Sequence, residues 1–492
     1  MVSTSVIQHP EKLFINGTWV DSSSDARIDV IDSNTEGLFL SIAEALPADV
    51  EHAIAAARSA FDEGPWPRLG HQQRGDYLRS MAVELRKRSD ALSEIWPRES
   101  GELFRIACGG GELGAGILER YASLDVDYAW EEPANPTNGG EFGLIVREPV
   151  GVVGAIIPWN SPITAALHKM APALMAGCTV VLKGSPEAPG AGYLLAEAAE
   201  AVGLPPGVLN VITAQREASE VLVRDPRVEK ISFTGSTATG RRIGSIMGER
   251  IGRFTLELGG KSAAVILGDA DMEGAASSIA AAECRLAGQV CASLTRLIVP
   301  RSRHDEFVDA LASKFSSKRV GDAFDPSTDI GPLVSAQQRK RVEGYIQRGI
   351  AEGATLVTGG GRPKDLDRGF FVEPTVFANV DNASTIGREE IFGPVLTVIA
   401  ADDEDHAIRM ANDSPYGLNA SVFTKDVDHA RKVAGRLRSG TVGHNAYRID
   451  FGLGFGGFKQ SGIGREGVRE GVAAYLESKV VILDGPPHRY RD

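Results

Sequence analysis

Cysteine is scarce in this chain: Cys108, Cys178, Cys284 and Cys291 are the only four among 492 residues. Thiols so few and so scattered exclude a disulfide framework and point to reduced cysteines in a cytoplasmic protein. Asn16-Gly17-Thr18 then reads as a turn and not as a glycosylation site. Long hydrophobic runs are also missing. The strongest, residues 151–157, is far short of the roughly 20 apolar residues of a membrane span. The opening MVSTSVIQHPEK has no basic segment leading into an apolar one, so no secretory signal is expected. Zinc, haem and calcium spacings (CxxC, HExxH, the EF-hand loop) do not occur, and no metal is expected. Basic charge is in deficit, 52 Lys and Arg against 65 Asp and Glu for a net charge of −13. An acidic chain argues against a nucleic-acid partner and against adhesion to an anionic membrane.

The remaining composition is that of a globular protein, 43% hydrophobic and 24% charged, which excludes a disordered chain, a collagen repeat or a coiled-coil rod. The length corresponds to about three domains of roughly 150 residues. Residues 12–40 alternate apolar and polar positions around Asn16-Gly17 and read as short antiparallel strands. From residue 47 to about 126 the spacing is helical, with amphipathic stretches at 49–61 and 73–88. A polar segment, 131–140, leads to a strand-like run at 142–148.

The middle of the chain alternates buried strands (151–157, 179–183, 208–213, 228–233, 254–258) with helices (163–175, 188–202, a short one after 213, and 237–247). This pattern is that of a doubly wound parallel sheet, which takes ligands at the carboxyl ends of its strands. The alternation repeats less regularly further on. Strands are expected at 262–267, 294–299, 375–380, 394–400, 420–423 and 440–442, and helices at 271–286, 303–315, 336–352, 403–411 and 427–438. This reads as a second α/β domain. Residues 454–467 are glycine-rich and irregular, and 477–483 form a last strand.

Several short motifs carry chemistry. Gly109-x-Gly111-x-x-Gly114 matches a dinucleotide fingerprint as a string, but it lies in a helical region and reads better as small residues at a close packing contact. Phe233-Thr234-Gly235-Ser236 follows a strand and opens a helix, where backbone N–H groups and the helix dipole face an anion. Ser236 there can cap the helix and also donate to a phosphate. Arg241-Arg242 replaces the Lys-Ser/Thr of a nucleotide-hydrolysing loop. Cys291, after Gly288-Gln289-Val290, reads from its local sequence first as an inert buried thiol and second as a cleft nucleophile. Glu257 ends an apolar strand at the sheet's ligand edge, where a carboxylate is costly without a partner or a role. Asn160, in Pro158-Trp159-Asn160, ends another strand of that sheet with an amide able to donate to an oxyanion.

Taken in order, Pro158-Trp159-Asn160, Phe233-Thr234-Gly235-Ser236, Leu256-Glu257-Leu258-Gly259-Gly260-Lys261, Gly288-Gln289-x-Cys291, Glu390-Ile391-Phe392-Gly393-Pro394 and Phe455-Gly456-Gly457-Phe458-Lys459-Gln460-Ser461-Gly462 resemble the NAD(P)-dependent aldehyde dehydrogenase superfamily. The likeness runs from Phe14 to about Val481. It implies a Rossmann-like cofactor-binding domain (1–128 and 150–258), a catalytic α/β domain (259–460) and a small β oligomerisation element (129–149 and 475–492). It also implies aldehyde oxidation to the acid. Cys291 would be the nucleophile, Asn160 with the Cys291 N–H the oxyanion hole, and Glu257 the base for thioester hydrolysis.

The resemblance further assigns NAD contacts to Trp159, Lys183, Gly235, Ser236, Glu390 and Phe392, and a proton relay to Lys169 and Glu466, whose plain alternative is a structural ion pair. Pro186 stands where a ribose-binding Glu is frequent, which would remove a carboxylate that repels a 2′-phosphate, so NADP is an alternative cofactor. Leu286 stands where many members have Asn. Ser161, Thr164 and His168 occupy substrate-tunnel positions that are often bulkier, with Phe451, Leu453 and Phe455 as an apolar wall and Arg448 the nearest cation. These features imply medium to long apolar aldehydes as substrates. The strand-like runs 142–148 and 477–483, with Arg465 and Glu477, match segments that pair subunits in a homodimer or homotetramer. A CoA-acylating relative usually lacks Glu257, and a non-catalytic relative would have lost Cys291, Asn160 or Glu257.

Overall fold

The structure, a computed structural model, describes residues 6–490; residues 1–5 and 491–492, the outer ends of segments 1–128 and 475–492, lie outside the described residues. Five strands run parallel in the order Arg253–Glu257, Lys230–Thr234, Val152–Ile156, Thr179–Gly184, Leu209–Thr213. The last three are buried at every position. Helices cover both faces of such a sheet, and its strands therefore read as unbroken apolar runs. Antiparallel additions close both edges: Gly462–Ile463 beside Arg253–Glu257, and the hairpin of Lys12–Ile15 and Thr18–Asp21 beside Leu209–Thr213. That hairpin turns at Asn16-Gly17, both with positive φ (54° and 74°), the conformation that two-residue hairpin loops require.

Chain direction in this sheet creates a crevice. The chain enters at the central strand Val152–Ile156, winds out through Thr179–Gly184 and Leu209–Thr213, then crosses back to Lys230–Thr234 and Arg253–Glu257. The connections after Val152–Ile156 and Lys230–Thr234 diverge, so the carboxyl ends of these two neighbours are left open. Residues 157–160 and 235–236 emerge there.

A second sheet has the order Thr355–Thr358, Thr375–Ala378, Val395–Ala401, Arg296–Pro300, Ala263–Ile266, Asn419–Phe423, Thr441–His444, all parallel except the first. Thr355–Thr358 was not expected. It is a four-residue edge strand with three exposed positions, so no apolar run announces it. A third sheet pairs Leu476–Leu483 along its whole length with Phe142–Pro149, which also carries Glu131–Ala134. A two-stranded sheet joins Arg27–Ile31 to Leu38–Ala43.

Two helices end earlier than the spacing suggests, Met272–Glu283 and Val427–Ala434. The first stops because Leu286 and Ala287 take left-handed conformations (φ 48° and 51°) and turn the chain toward Cys291. The Gly109–Gly114 string lies at and within the helix Gly110–Ala122, where a Cβ at Gly111 would sit 2.0 Å from Ser89 Oγ and one at Gly114 2.6 Å from Leu85. Those glycines serve close packing. No helix among the described residues is long and apolar enough to cross a membrane.

Candidate active site

Asn160 reaches the crevice on a loop that a neighbouring helix holds in place. From Ser89–Ser100, Trp96 Nε1 donates to the Asn160 carbonyl at 3.0 Å and Ser100 Oγ to the Trp159 carbonyl at 2.6 Å. The Asn160 side-chain amide donates one N–H to the Gln289 carbonyl at 2.9 Å. Its orientation is thereby set and its second N–H remains available.

Cys291 comes from the opposite side. Gln289 anchors its loop by accepting from the Val334 N–H at 2.9 Å and donating to the Leu286 carbonyl at 2.8 Å. A Cβ at Gly260 would sit 2.4 Å from the Cys291 carbonyl oxygen, so only glycine allows this approach. Leu286 bears on the same turn. Asparagine is among the side chains that best tolerate the left-handed region, whereas Leu286 adopts it at φ 48° with its side chain in a cavity wall. The half-buried Cys291 thiol is pushed up to about 12 by burial first and then by the carboxylates of Glu390 and Glu257.

Glu257 ends the strand Arg253–Glu257 with its carboxylate in the interior, 3% exposed. Neither oxygen has a hydrogen-bond partner among the described residues. Burial, and next the charge of Glu466, hold its pKa well above the usual carboxylate range, against the opposing pull of Lys169 and Arg465. Lys169 and Glu466 form a buried ion pair. Glu466 lines the cavity in front of Glu257, while Lys169 is fully buried behind it.

Asn160, Glu257 and Cys291, with Pro158 and Thr234, line both of two adjoining cavities. The smaller, about 220 Å³, also holds Trp159, Gly235, Ser236, Glu390 and Phe392. It shares Pro158, Trp159, Thr234, Gly235 and Ser236 with a third, open groove of about 540 Å³ that runs to Lys183. Glu390 accepts the Gly260 N–H at 3.0 Å through Oε1, and burial raises its pKa to about 7. A Cβ at Gly259 would lie 2.4 Å from its other oxygen. Arg341 donates to the Glu390 carbonyl and Gln338 to the Phe392 carbonyl, both at 2.7 Å. They hold Phe392 at φ 64° with its ring edge-to-face on Trp159, centroids 5.3 Å apart. Neither Gln338 nor Arg341 belongs to a motif that sequence reading singles out.

The groove fits a dinucleotide. Ser236 Oγ accepts from the Thr239 N–H at 3.2 Å and caps Thr237–Glu249, whose first turn lines the groove through Ala238 and Thr239. Lys183, its pKa lowered to about 8 by burial, lies at the far end. One expectation is corrected here. Pro186 does not leave the groove without a carboxylate, because Glu187 lines it beside Lys183 and accepts from the Ser185 hydroxyl. No group of three or more His, Cys, Asp or Glu among the described residues is placed to hold a metal ion.

The larger of the two adjoining cavities, about 330 Å³ and called the tunnel below, is lined by Ser161, Thr164, His168 and Phe451 together with Phe455. Leu453 is not part of the wall and is 84% exposed. Arg448 does not line it either. The cations there are Arg120, from Gly110–Ala122, and Arg285, both exposed. Arg465 and Glu477, expected at a subunit contact, are engaged within the chain: Arg465 donates to the Gly457 and Gly464 carbonyls and Glu477 accepts from Arg253.

A sequence model of the aldehyde dehydrogenase family matches residues 19–481. The chain is similar to a geranial dehydrogenase of Castellaniella defragrans, with 44% identity over 96% of this chain and 99% of the relative. A solved Mycobacterium tuberculosis aldehyde dehydrogenase complexed with NAD+ superposes with a TM-score of 0.94 at 44% identity, covering 99% of this chain and 100% of the other. A mutant of aldehyde dehydrogenase C from Pseudomonas syringae, complexed with NAD+ and octanal, superposes at 0.93 with 36% identity over 98% and 99% of the two chains.

The raised thiol pKa has a measurable consequence. In the cofactor-free enzyme, iodoacetamide alkylation of the Cys291 peptide, followed by mass spectrometry, will be slow at pH 7 and will climb continuously to pH 10, because only the thiolate reacts. Glu390→Gln, which removes the larger of the two repelling charges, will shift the profile to lower pH. A plateau below pH 8 would contradict this electrostatic picture.

Proposed function

The chain belongs to the aldehyde dehydrogenase family, and on that footing we propose that this NAD(P)-dependent enzyme oxidises medium to long apolar aldehydes, aliphatic, terpenoid or aromatic, to carboxylic acids through a covalent adduct on Cys291. The observation that carries this reading is the meeting of Asn160, Glu257 and Cys291 where the smaller cavity joins the groove on one side to a separate tunnel on the other. The Cys291 thiolate adds to the aldehyde carbon, and the resulting oxyanion is held by the free Asn160 N–H and the Cys291 backbone N–H. One such donor is worth about 3–4 kcal/mol of barrier. Bound NAD+ supplies the hydride acceptor, and hydride loss leaves a thioester on Cys291. Glu257 then removes a proton from the attacking water, and the acid leaves as the thiol is restored. Because Glu257 titrates high, its basic form grows with pH and hydrolysis quickens accordingly. Glu466 and Lys169 relay the proton away.

Within the groove, Lys183 would hold the adenosine ribose, Gly235 and Ser236 the pyrophosphate, and Glu390 the nicotinamide ribose, with Trp159 and Phe392 beside that end of the cofactor. Glu187 repels a 2′-phosphate, which supports NAD over NADP. Segments 1–128 and 150–258 form the cofactor domain, 259–460 the catalytic domain, and 129–149 with 475–492 the oligomerisation element. The four free thiols suit a reducing cytoplasm.

The tunnel's aromatic wall, and similarity to relatives named for geranial or crystallised with octanal, support apolar substrates. In an NAD(P)H absorbance assay from two- to ten-carbon aldehydes, kcat/KM is expected to rise by up to about fourfold per CH₂ until the tunnel is full, with NAD preferred. Succinic semialdehyde will be poor. A peak at acetaldehyde would contradict the reading, as would a semialdehyde preference that Arg120→Ala or Arg285→Ala abolishes.

Assembly is the second proposal. Leu476–Leu483 is the outer strand of its sheet and exposes Val480 (67%) and Ile482 (55%). An open apolar edge is a liability that pairing with another copy removes. Light scattering at micromolar concentration will give a dimer or tetramer mass; a monomer would refute it.

A further inference from the structure

Tyr121 and His168 form a pair that the reaction above does not use. Tyr121 lies on Gly110–Ala122 and His168 on Pro162–Ala176, 1% and 5% exposed, with Oη and Nδ1 at 3.2 Å. The Gly467 N–H faces the tyrosine oxygen. A buried hydroxyl needs an acceptor for its own proton, and Nδ1 is the one the structure provides. Burial first, then Lys169 and Arg120, push the His168 pKa down to about 3, so the ring is neutral. A neutral imidazole carries a single N–H. With Nδ1 accepting, that proton sits on Nε2.

The ring is also fixed in orientation. Its face stacks on Phe451 with centroids 4.0 Å apart and planes 12° from parallel. Its Nδ1 edge is tied to Tyr121. No protein partner for Nε2 is found among the described residues, and His168 lines the 330 Å³ tunnel. Ser161 and Thr164 line it too, but a rotating hydroxyl donates or accepts as needed. Apart from Asn160 beside Cys291 and the exposed Arg120 and Arg285, His168 is the tunnel lining's donor of fixed direction among the described residues.

We infer that Tyr121 and His168 place a single oriented N–H in the aromatic wall of the tunnel, and that it selects aldehydes carrying an acceptor oxygen (ether, hydroxyl or ketone) further along the chain. Tyr121 is a positioning residue, and His168 Nε2 touches the substrate. This rests on the assignment of the tunnel as the aldehyde site. Among medium to long aldehydes of equal length, one with an oxygen placed against this N–H regains the hydrogen bond that the donor gives up with water, and is favoured over the others.

The test walks one oxygen through a chain of constant length. The kcat/KM of octanal is compared with that of the three ethers in which oxygen replaces the methylene at carbon 4, 5 or 6. In the wild type, one ether position is expected to exceed the other two by about tenfold, the worth of one well-placed hydrogen bond. His168→Phe keeps the aromatic stack and removes the N–H, and it will bring the three ethers within about twofold of one another. Tyr121→Phe, which releases the tautomer, will weaken the positional preference. His168→Gln, which returns an amide N–H, will recover part of it. Equal ethers in the wild type, or an unchanged preference in His168→Phe, would overturn the inference. Failure of the tunnel reading looks different: the wild type then turns over neither octanal nor any ether.

Discussion

Glu257 carries a carboxylate into the protein interior at the end of strand Arg253–Glu257, and neither of its oxygens finds a hydrogen bond among the described residues. An isolated charge there is expensive, so the group holds its proton far above the usual range. The rest of the site is arranged around that burial. Gly456 must be glycine because a Cβ would sit 2.7 Å from Glu257 Oε1. The Lys169–Glu466 ion pair sets the local charge balance. Cys291 titrates high partly because Glu257 faces it. A carboxyl and a thiol that both resist ionisation suit a site in which each is charged only at the step that uses it.

Bringing these groups together depends on cross-ties between segments far apart in the chain. Trp96 and Ser100 hold the Asn160 loop, Gln289 links that loop to the Cys291 turn, and the Gly462–Ile463 strand returns from the glycine-rich segment to seal the sheet beside Glu257. The crevice exists because a parallel sheet reverses its winding between Val152–Ile156 and Lys230–Thr234. The smaller cavity and the tunnel meet there along a shared lining of Pro158, Asn160, Thr234, Glu257 and Cys291.

The parallel strands were legible because strands buried on both faces spell apolar runs, and the ordered motifs located Cys291, Glu257 and Asn160. The exposed edge strand Thr355–Thr358 carries no such run. The turn at Leu286 and Ala287 has no local signature, because neither residue type signals a left-handed backbone and the helical spacing runs on through it. Arg120 and Tyr121 sit on a helix whose spacing looks like ordinary core packing, so nothing local marks the first as lining the tunnel or the second as bonded to His168. Glu187 lines the groove together with Pro186, and local sequence does not show that a carboxylate one residue further on also reaches it, because that depends on tertiary packing.

The most direct measurement is rapid-quench mass spectrometry of Glu257→Gln mixed with octanal and NAD+. The expected result is a burst of about one equivalent of NADH per active site, with the Cys291 peptide heavier by the octanoyl group and steady turnover nearly abolished. The contradicting result is a burst that disappears together with the steady rate while Cys291 stays unmodified. Glu257 would then act before the thioester forms rather than in its hydrolysis.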